Sequence, residues 1–366
     1  MRIDFNSSDR SSLGVEMELA MVDRAGGQLV SVATDLLGEL QHPWAKHELL
    51  ECCVEIVTDV CTTVGEARAD LEGTLAEVRA AADRRDAEVM CAGTHPFSDW
   101  ADQQISPDPR YHALVEEMQW MARQLQIFGI HVHVGIRSPD KAIAIANALA
   151  GYIPHFLALS ASSPYWMGTD TGLASARSKV FEGLPTAGLP YQLDGWPEFE
   201  QFMTTLVCAN AIRTIREVWW DIRPHPNFGT VELRICDGAP TMAEVAAVAA
   251  LGQCLVDWMD SLLDRGYTLP LHRAWIVKEN KWRSARHGMA AEIVVGEDGS
   301  LRPLREAVAE LVEELRPVAR RLGCEDELAA VMAMAARPSY QRQREVVADG
   351  GTVQDVVQSL VAELKS

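Results

Sequence analysis

Three short stretches of the chain alternate apolar and polar residues with a period of two. In Leu13-Gly14-Val15-Glu16-Met17-Glu18-Leu19-Ala20-Met21 the odd positions are mainly apolar, and Glu16 and Glu18 share the other side. In residues 129–136 the even positions are apolar, and His131 and His133 share the opposite side. In residues 230–236 the apolar residues alternate with Glu232 and Arg234. Successive side chains of a strand point to opposite faces, so each stretch predicts a strand with one apolar and one ionisable face. Residues 221–224, with Arg223, and 54–58, with Glu55, predict two shorter strands, the first ending at the turn that Pro224 starts.

Between these stretches the apolar spacing changes to three or four residues. Ala67, Leu71, Leu75, Val78 and Ala82 predict one helix, and Leu114, Val115, Met118, Met121 and Leu125 another. Residues 139–161, 242–263, 301–322 and 353–364 predict four more. Long helices separate the strands, but 219–223 and 230–236 read as a hairpin. The mixture predicts an α+β fold with a mainly antiparallel sheet, helices on one face and ionisable residues on the other. No repeat, low-complexity segment or Pro/Gly/Ser-rich linker interrupts it, so residues 1–366 are expected to form a single domain, helical from about residue 300 onward.

Composition narrows the partners. Lys and Arg total 33 against 52 Asp and Glu, a formal charge of −19, which argues against nucleic-acid and anionic-membrane partners. Hydrophobic residues at 48% exclude wholesale disorder. The N-terminus is polar, without the apolar segment of a signal peptide, and no uninterrupted apolar run reads as a membrane span. A cytoplasmic protein is expected. None of the eight cysteines forms a Cys-x-x-Cys pair, so buried, reduced thiols are expected rather than a zinc site. Nothing in the sequence speaks against a homodimer.

The ionisable face carries the candidate chemistry. A single Glu-x-Glu on a strand is most simply solvated surface, and a lone His-x-His is as often structural as ligating. Acids, histidines and arginines gathered on the strands of one sheet are harder to read that way. Clustered carboxylates raise one another's pKa unless a cation joins them. Oxygen ligands in that number suit Mg²⁺ or Mn²⁺ better than zinc. Arginines among them suit phosphate or carboxylate groups. Glycine-rich nucleotide motifs are absent, so any ATP phosphates must be held by metals on the sheet and by arginines.

The order of motifs resembles a known family. Leu13-Gly14-Val15-Glu16-x-Glu18-Leu19 is similar to the opening strand of the bacterial type 2 glutamate–cysteine ligases, the YbdK-like carboxylate–amine ligases. Glu48-Leu49-Leu50-Glu51-x-x-Val54-Glu55-Ile56-x-Thr58 resembles their second block, and Cys91-Ala92-Gly93-Thr94-His95-Pro96-Phe97 follows. Then come Gly129-Ile130-His131-Val132-His133-Val134-Gly135, residues 159–166, and Arg177 through the 184–190 segment. Asp221-Ile222-Arg223-Pro224-His225-Pro226 through Gly229-Thr230-x-Glu232-x-Arg234-x-Cys236-Asp237 is the most specific block, and Glu279-Asn280-Lys281-Trp282-Arg283 closes the series.

The resemblance implies the fold of the glutamine synthetase and glutamate–cysteine ligase superfamily, a curved, mainly antiparallel sheet shaped as a funnel with helices on its outer face. It implies that ATP phosphorylates an acid and that an amine attacks the acyl phosphate, giving an amide, with γ-glutamylcysteine formation as the family's named activity. ATP, Mg²⁺ or Mn²⁺, and small acids and amines, amino acids foremost, are the implied ligands. By motif position Glu16, Glu18, Glu55, His131 and Glu232 match the metal positions. His133, Arg177 and Arg234 are the candidates for the nucleotide phosphates. Arg234, Arg177 and Arg223 are the candidates to meet the transferred phosphoryl group or the substrate carboxylate. Glu51 is a candidate to support the acids from behind. For Arg177 and Arg223 the plainer alternative is a surface salt bridge, and for His95, His112 and His225 a structural or turn role is preferred.

Many relatives carry a third acid where this chain has Met17; period two sends Met17 to the apolar face, so no ligand is lost. Two readings from other classes remain. A nucleotide-binding regulatory protein would bind ATP without turnover, and a metal-dependent hydrolase would use His131 and His133 on zinc. A guanidino phosphotransferase would give a phosphorylated amine and no amide. No cysteine is expected to act as a nucleophile, because acyl transfer would proceed through phosphate.

Overall fold

A computed structural model describes residues 2–366. Its centre is a seven-stranded sheet. The strands used below are β1 (Leu13–Asp23), β2 (Ala45–His47), β3 (Cys53–Val57), β4 (Ala87–Met90) and β5 (Ile130–Gly135), with the hairpin strands Ile222–His225 and Thr230–Leu233. The order is Ile222–His225, Thr230–Leu233, β5, β1, β3, β2, with β4 also paired to β1. Every pairing in this sheet is antiparallel.

Alternation decides which face each residue takes. Leu13, Val15, Met17, Leu19 and Met21 are all at most 2% exposed and pack into the main core. Met17 is therefore an apolar-face residue, as its parity requires. The helices Val64–Asp83 and Met242–Asp264 cover this face through Leu71, Leu75 and Val78 and through Val248, Leu251 and Leu255. The first helix starts at a capping box, with Glu66 N donating to the Thr63 hydroxyl and Thr63 N to the Glu66 carboxylate. Beyond Leu19, β1 is buried on both faces. Ala20 and Val22 pack with Met90 and with Val356, Val357 and Leu360 of the C-terminal helix Val353–Lys365. That helix closes one end of the polar face and confines the open part to the stretch around Glu16 and Glu18.

Several predicted elements come out differently. Residues 139–161 break into helices Pro139–Leu149 and Ile153–Ser160 with a 3₁₀ turn between. Pro154 has no N–H to continue the first helix, and a side chain on Gly151 would collide with the His272 ring. The helix expected around Leu114 and Leu125 divides into Pro109–Met118 and Trp120–Arg123 where Gln119 takes φ 49°. Leu301–Pro303 pairs as a strand with Glu292–Val294, and the helix starts only at Leu304. The strand expected over 230–236 ends at Leu233. Beyond it the helices Leu304–Leu322, Glu325–Ala336, Ser339–Ala348 and Val353–Lys365 make up the expected helical portion. Two helical stretches, 139–160 and 242–264, are long and apolar enough to cross a membrane by length and composition, which the sequence reading did not anticipate. In each, 83% of the most apolar 18-residue window is buried inside the molecule.

Candidate active site

The strand register brings the ionisable residues together. Glu16 on β1 lies opposite His131 on β5, and Glu18 lies opposite Glu55 on β3. Glu232 lies opposite His133 on one side and Arg223 on the other. Residues paired across a sheet project from the same face, so long-range pairing gathers the polar residues of five strands into one cluster. One ligand atom each from Glu16, His131 and Glu232 lie within 4.8 Å of one another. His131 Nδ1 meets Glu16 Oε2 at 2.8 Å, while His131 Nε2 stands 3.9 Å from Glu18 Oε1. His133 is fixed by Thr230 Oγ1 at 3.0 Å, and its Nε2 lies 3.3 Å from Glu16 Oε1 and 3.7 Å from Glu232 Oε1, without hydrogen-bond geometry to either. Arg223 holds Glu232 Oε2 through Nε at 2.8 Å and Nη2 at 2.7 Å, and Arg234 Nη1 bonds the other oxygen.

Electrostatics divides the face. Burial penalises the Glu232 carboxylate, but Arg223 and Arg234 outweigh it and hold the group well below the usual range. Burial likewise opposes ionisation of Glu16, and the hydrogen bond from His131 with the neighbouring His133 overcomes it. Burial, followed by the charge of Arg234, pushes His131 down to about 4, leaving a neutral imidazole with a free lone pair. His133 shifts upward, because Glu232 and Glu16 outweigh the burial that opposes its charge. On the other side three acids lack such partners. Burial and the neighbouring Glu48 raise Glu18 to about 7. Burial also raises Glu48, and Glu55 rises well above its usual value through burial and repulsion from Glu16, Glu48 and Glu18. Buried carboxylates held this way fit a hard divalent cation, and the donor set is oxygen-rich. Glu16, His131 and Glu232 could hold one ion; Glu16 and His131 line a cavity of about 340 Å³ that Glu18, Glu48 and Glu55 also face, and Glu232 lies buried behind it.

The sequence matches the Glutamate-cysteine ligase family 2 (GCS2) over residues 12–361. The chain belongs to this family. The ligase is 57% identical to a protein of Frankia alni carrying the provisional name glutamate–cysteine ligase 2-1, over 376 residues, covering 100% of this chain and 98% of that one. It is 51% identical to a similarly named protein of Thermobifida fusca, covering 100% and 94%. Among solved structures it resembles the glutamate–cysteine ligase of Francisella tularensis in complex with AMP. The TM-score there is 0.71 at 14% identity, over 100% of this chain and 90% of that one. A bifunctional glutathione synthetase from Pasteurella multocida gives TM-score 0.69 at 16% identity, over 96% and 52%. These two likenesses show the shared fold, as the resemblance implied. The protein is an enzyme that forms a carbon–nitrogen bond, a carboxylate–amine ligase of the glutamate–cysteine ligase type.

Within this ligase the remaining sequence candidates separate. Arg177 and Arg223 are 3% and 6% exposed, so neither is a surface salt bridge. Arg177, on the helix Arg177–Phe181, donates to the carbonyl oxygens of Ile235 at 3.3 Å and Arg234 at 3.4 Å, and its Nε has no partner. Its approach depends on Gly129, where a Cβ would sit 2.2 Å from Nη2. Gly129 N in turn donates to Glu18 Oε2. Glu51 does not support the cluster. It lies in the turn before β3, and its carboxylate is taken by Thr34 N at 3.1 Å at the start of the helix Ala33–Leu40. Glu48, from the same motif, faces the cavity instead.

His95 is structural, as expected, with Nε2 on Gly27 O at 2.8 Å and Nδ1 accepting from Ser98 N at 2.9 Å. His112 is exposed on its helix. His225 keeps the expected turn role, its Nδ1 accepting from Phe228 N at 3.3 Å and its carbonyl from Gly229 N at 2.9 Å, but it also borders the site. It stacks on Phe228 at 4.2 Å, stands edge-on to His133 at 5.5 Å and lines the cavity. Arg110, Arg216 and Trp219 also line it and were missed: Arg110 and Arg216 come from a helix face and a 3₁₀ turn without a periodic signal, and Trp219 begins the short strand Trp219–Trp220 as an apolar residue. Lys46 also lines it; its neighbour across the sheet is Glu55, a pairing visible only in the folded chain. All eight cysteines are free and all but Cys208 are buried, with burial raising Cys52 and Cys236 to about 12, so neither is poised as a nucleophile.

Proposed function

We propose that this ligase uses ATP, with Mg²⁺ or Mn²⁺, to activate a substrate carboxylate as an acyl phosphate that an amine then captures. The observation that carries the reading is the buried junction of Glu16, His131 and Glu232, flanked by Arg177 and Arg234. Two chambers meet there. One, of about 470 Å³, shares Glu16 and His133 with the cluster and is walled by Trp44, Val57, Val60 and Phe228. Gly14 forms part of its floor, and no neighbour except His133 Cβ would approach a Cβ there. A flat, uncharged base suits this space. The other chamber presents Arg110, Arg177, Arg216 and Arg234, which suits phosphoryl and carboxylate groups.

In the proposed reaction a carboxylate oxygen attacks the γ-phosphorus, and the bond to the ADP oxygen breaks. The amine nitrogen then attacks the acyl carbon, phosphate leaves with the bonding pair, and the amine loses a proton. Glu16, His131 and Glu232, with Glu18 and Glu55 beside them, would hold the metal, which supplies positive charge against the phosphate oxygens. The arginines divide by how many donors remain free. Arg223 spends Nε and Nη2 on Glu232 and Nη1 on the carbonyls of Arg216 and Val218, so it holds Glu232 in place. Arg234 bonds Glu232 through Nη1, and it and Arg177 line the cavity, so these two are the residues that meet the transferred phosphoryl group. We take residues 1–366 to act as one catalytic unit in the cytoplasm.

The test is ADP release across a matrix of acids and amines, glutamate with cysteine included, with Mg²⁺ and then with EDTA. ADP formed only when acid, amine and metal are all present supports the reading. ATP binding without ADP release for any pair would favour the regulatory alternative, and undiminished turnover in EDTA would remove the metal.

A further inference from the structure

The last sequence block, with Asn280, Lys281 and Arg283, contributes nothing to the walls of either chamber. Lys281 is nonetheless among the most deeply buried large side chains, 2% exposed. Its ammonium sits between two carboxylates, Asp221 Oδ2 and Glu182 Oε1, each at 2.6 Å. A lysine taken this far from water is costly unless its charge is matched, and here burial is outweighed by Asp221 and Glu182, so its pKa rises.

The two acids belong to different parts of the site's frame. Glu182 caps the C-terminus of the helix Arg177–Phe181, whose first residue is Arg177. Asp221 immediately precedes the strand that carries Arg223. The Asp221 carbonyl accepts from Arg234 N at 2.8 Å, and Asp221 N donates to Gly188 O at 2.7 Å. The helix Ala274–His287, which bears Lys281, also takes the other end of the Arg177 segment, because Ala174 N and Ser175 N both donate to Ala285 O, at 2.8 and 3.0 Å. One helix therefore grips the Arg177 helix at both ends and holds Asp221 with the same ammonium.

We infer that Lys281 is a positioning residue, which sets the placement of Arg177 relative to Arg234 by tying Glu182 to Asp221. It rests on the proposed ligase mechanism only for the catalytic consequence. Two phosphoryl-binding arginines on separate elements need a fixed spacing, and a displacement of about 1 Å can cost on the order of 10²-fold in rate. The Arg177 guanidinium meets the Arg234 and Ile235 carbonyls at 3.3–3.5 Å, and Asp237 binds the Ser163 and Ser175 hydroxyls at the start of the Arg177 helix, so the spacing is fixed at that end and the Lys281–Glu182 pair fixes the other.

The experiment compares the full-length parent with the double variant Lys281→Met/Asp221→Asn, which removes the buried charge pair together and leaves neither charge stranded. The expected result is a melting temperature near that of the parent, kcat lower on the order of 10-fold or more with a smaller change in KM for ATP, and a crystal structure with Arg177 shifted away from the Arg234 carbonyl. Parent-like kcat with Arg177 unmoved overturns the inference, since Lys281 would then serve only to neutralise Asp221. If the double variant does not fold, Glu182→Gln cuts the more exposed arm alone. It should lower kcat in the parent and cause no further loss in an Arg177→Ala background, whereas equal losses in both backgrounds overturn the tie through Arg177. A parent chain that forms no ADP with any acid–amine pair would refute the ligase mechanism by itself. The Arg177 position in the two crystal structures would still decide the role of Lys281.

Discussion

Glu232 and Glu55 lie on one face of one sheet, with β5 and β1 between their strands, and both are almost completely buried. Glu232 is held ionised by Arg223 and Arg234, while Glu55 meets Glu16, Glu48 and Glu18 and is pushed toward its neutral form. The residue type and the depth are the same, and the partners differ. The Glu232 half is balanced by protein charge, and its geometry is set before any ligand arrives. The Glu18–Glu48–Glu55 half is short of positive charge and is stable as an ionised set only when a cation joins it. A phosphoryl-transfer site needs both kinds of ground: fixed donors where charge develops, and a place where metal binding is favourable.

The comparison breaks most sharply at Arg234. Lysine cannot reproduce its planar fork, and removing a transition-state charge contact costs about 10²–10³ in rate. Arg234→Lys should fold, bind ATP and metal, and lose on the order of 10² or more in kcat with a smaller change in KM for ATP. A fully active Arg234→Lys enzyme would make Arg234 a salt-bridge partner only and shift its role to Arg177.

The two halves should also respond to the same substitution with opposite signs in the metal-free protein. Glu232→Gln strands two buried arginines, and breaking a buried pair from one side costs about 3–5 kcal/mol. Glu55→Gln removes a repelled charge, so the melting temperature of the metal-free protein should hold or rise. Both variants should be poorly active with Mg²⁺. Thermal melts of the two in EDTA check this, and a drop of equal size in both would erase the distinction between the halves.

The smallest effect expected is on pH dependence. Glu18 has its folded-state pKa raised to about 7 from an ordinary 4.5, so the stability this group contributes is fully present below the ordinary value and is lost as pH rises through about 7. Glu48 and Glu55 shift the same way. Glu16 shifts oppositely, so its contribution is present above the ordinary carboxylate range and is lost as pH falls. The metal-free protein should therefore lose melting temperature between about pH 5 and pH 7.5, and Mg²⁺ should raise it more at the higher pH. An equal Mg²⁺ shift at both pH values would show that the acids are already ionised without the metal.

Much of this arrangement is legible in the chain itself, for a local reason. A strand's side chains alternate with a period of two whatever surrounds it, so the ionisable positions Glu16, Glu18, His131, His133, Glu232 and Arg234, and the burial of Met17, follow from sequence alone. The absence of a Cys-x-x-Cys pair and the absence of a glycine-rich phosphate loop are equally local facts. Other assignments depended on contacts between residues far apart in the chain. Glu48 and Glu51 stand three residues apart in one motif, and only the approach of Thr34 turned Glu51 away. Arg177 reaches the site because Gly129, 48 positions earlier, lacks a side chain where its guanidinium lies. Gln119 breaks a helix that its apolar spacing predicted to continue. Lys281 acquires its partners only when its helix packs between the end of the Arg177 helix and the residue before the Arg223 strand. Backbone parity is written residue by residue, whereas the meeting of side chains from separate elements is decided by how those elements pack. For this protein the sequence determined the kind of chemistry on one sheet face, and the tertiary structure decided which charges are balanced and which still require a cation.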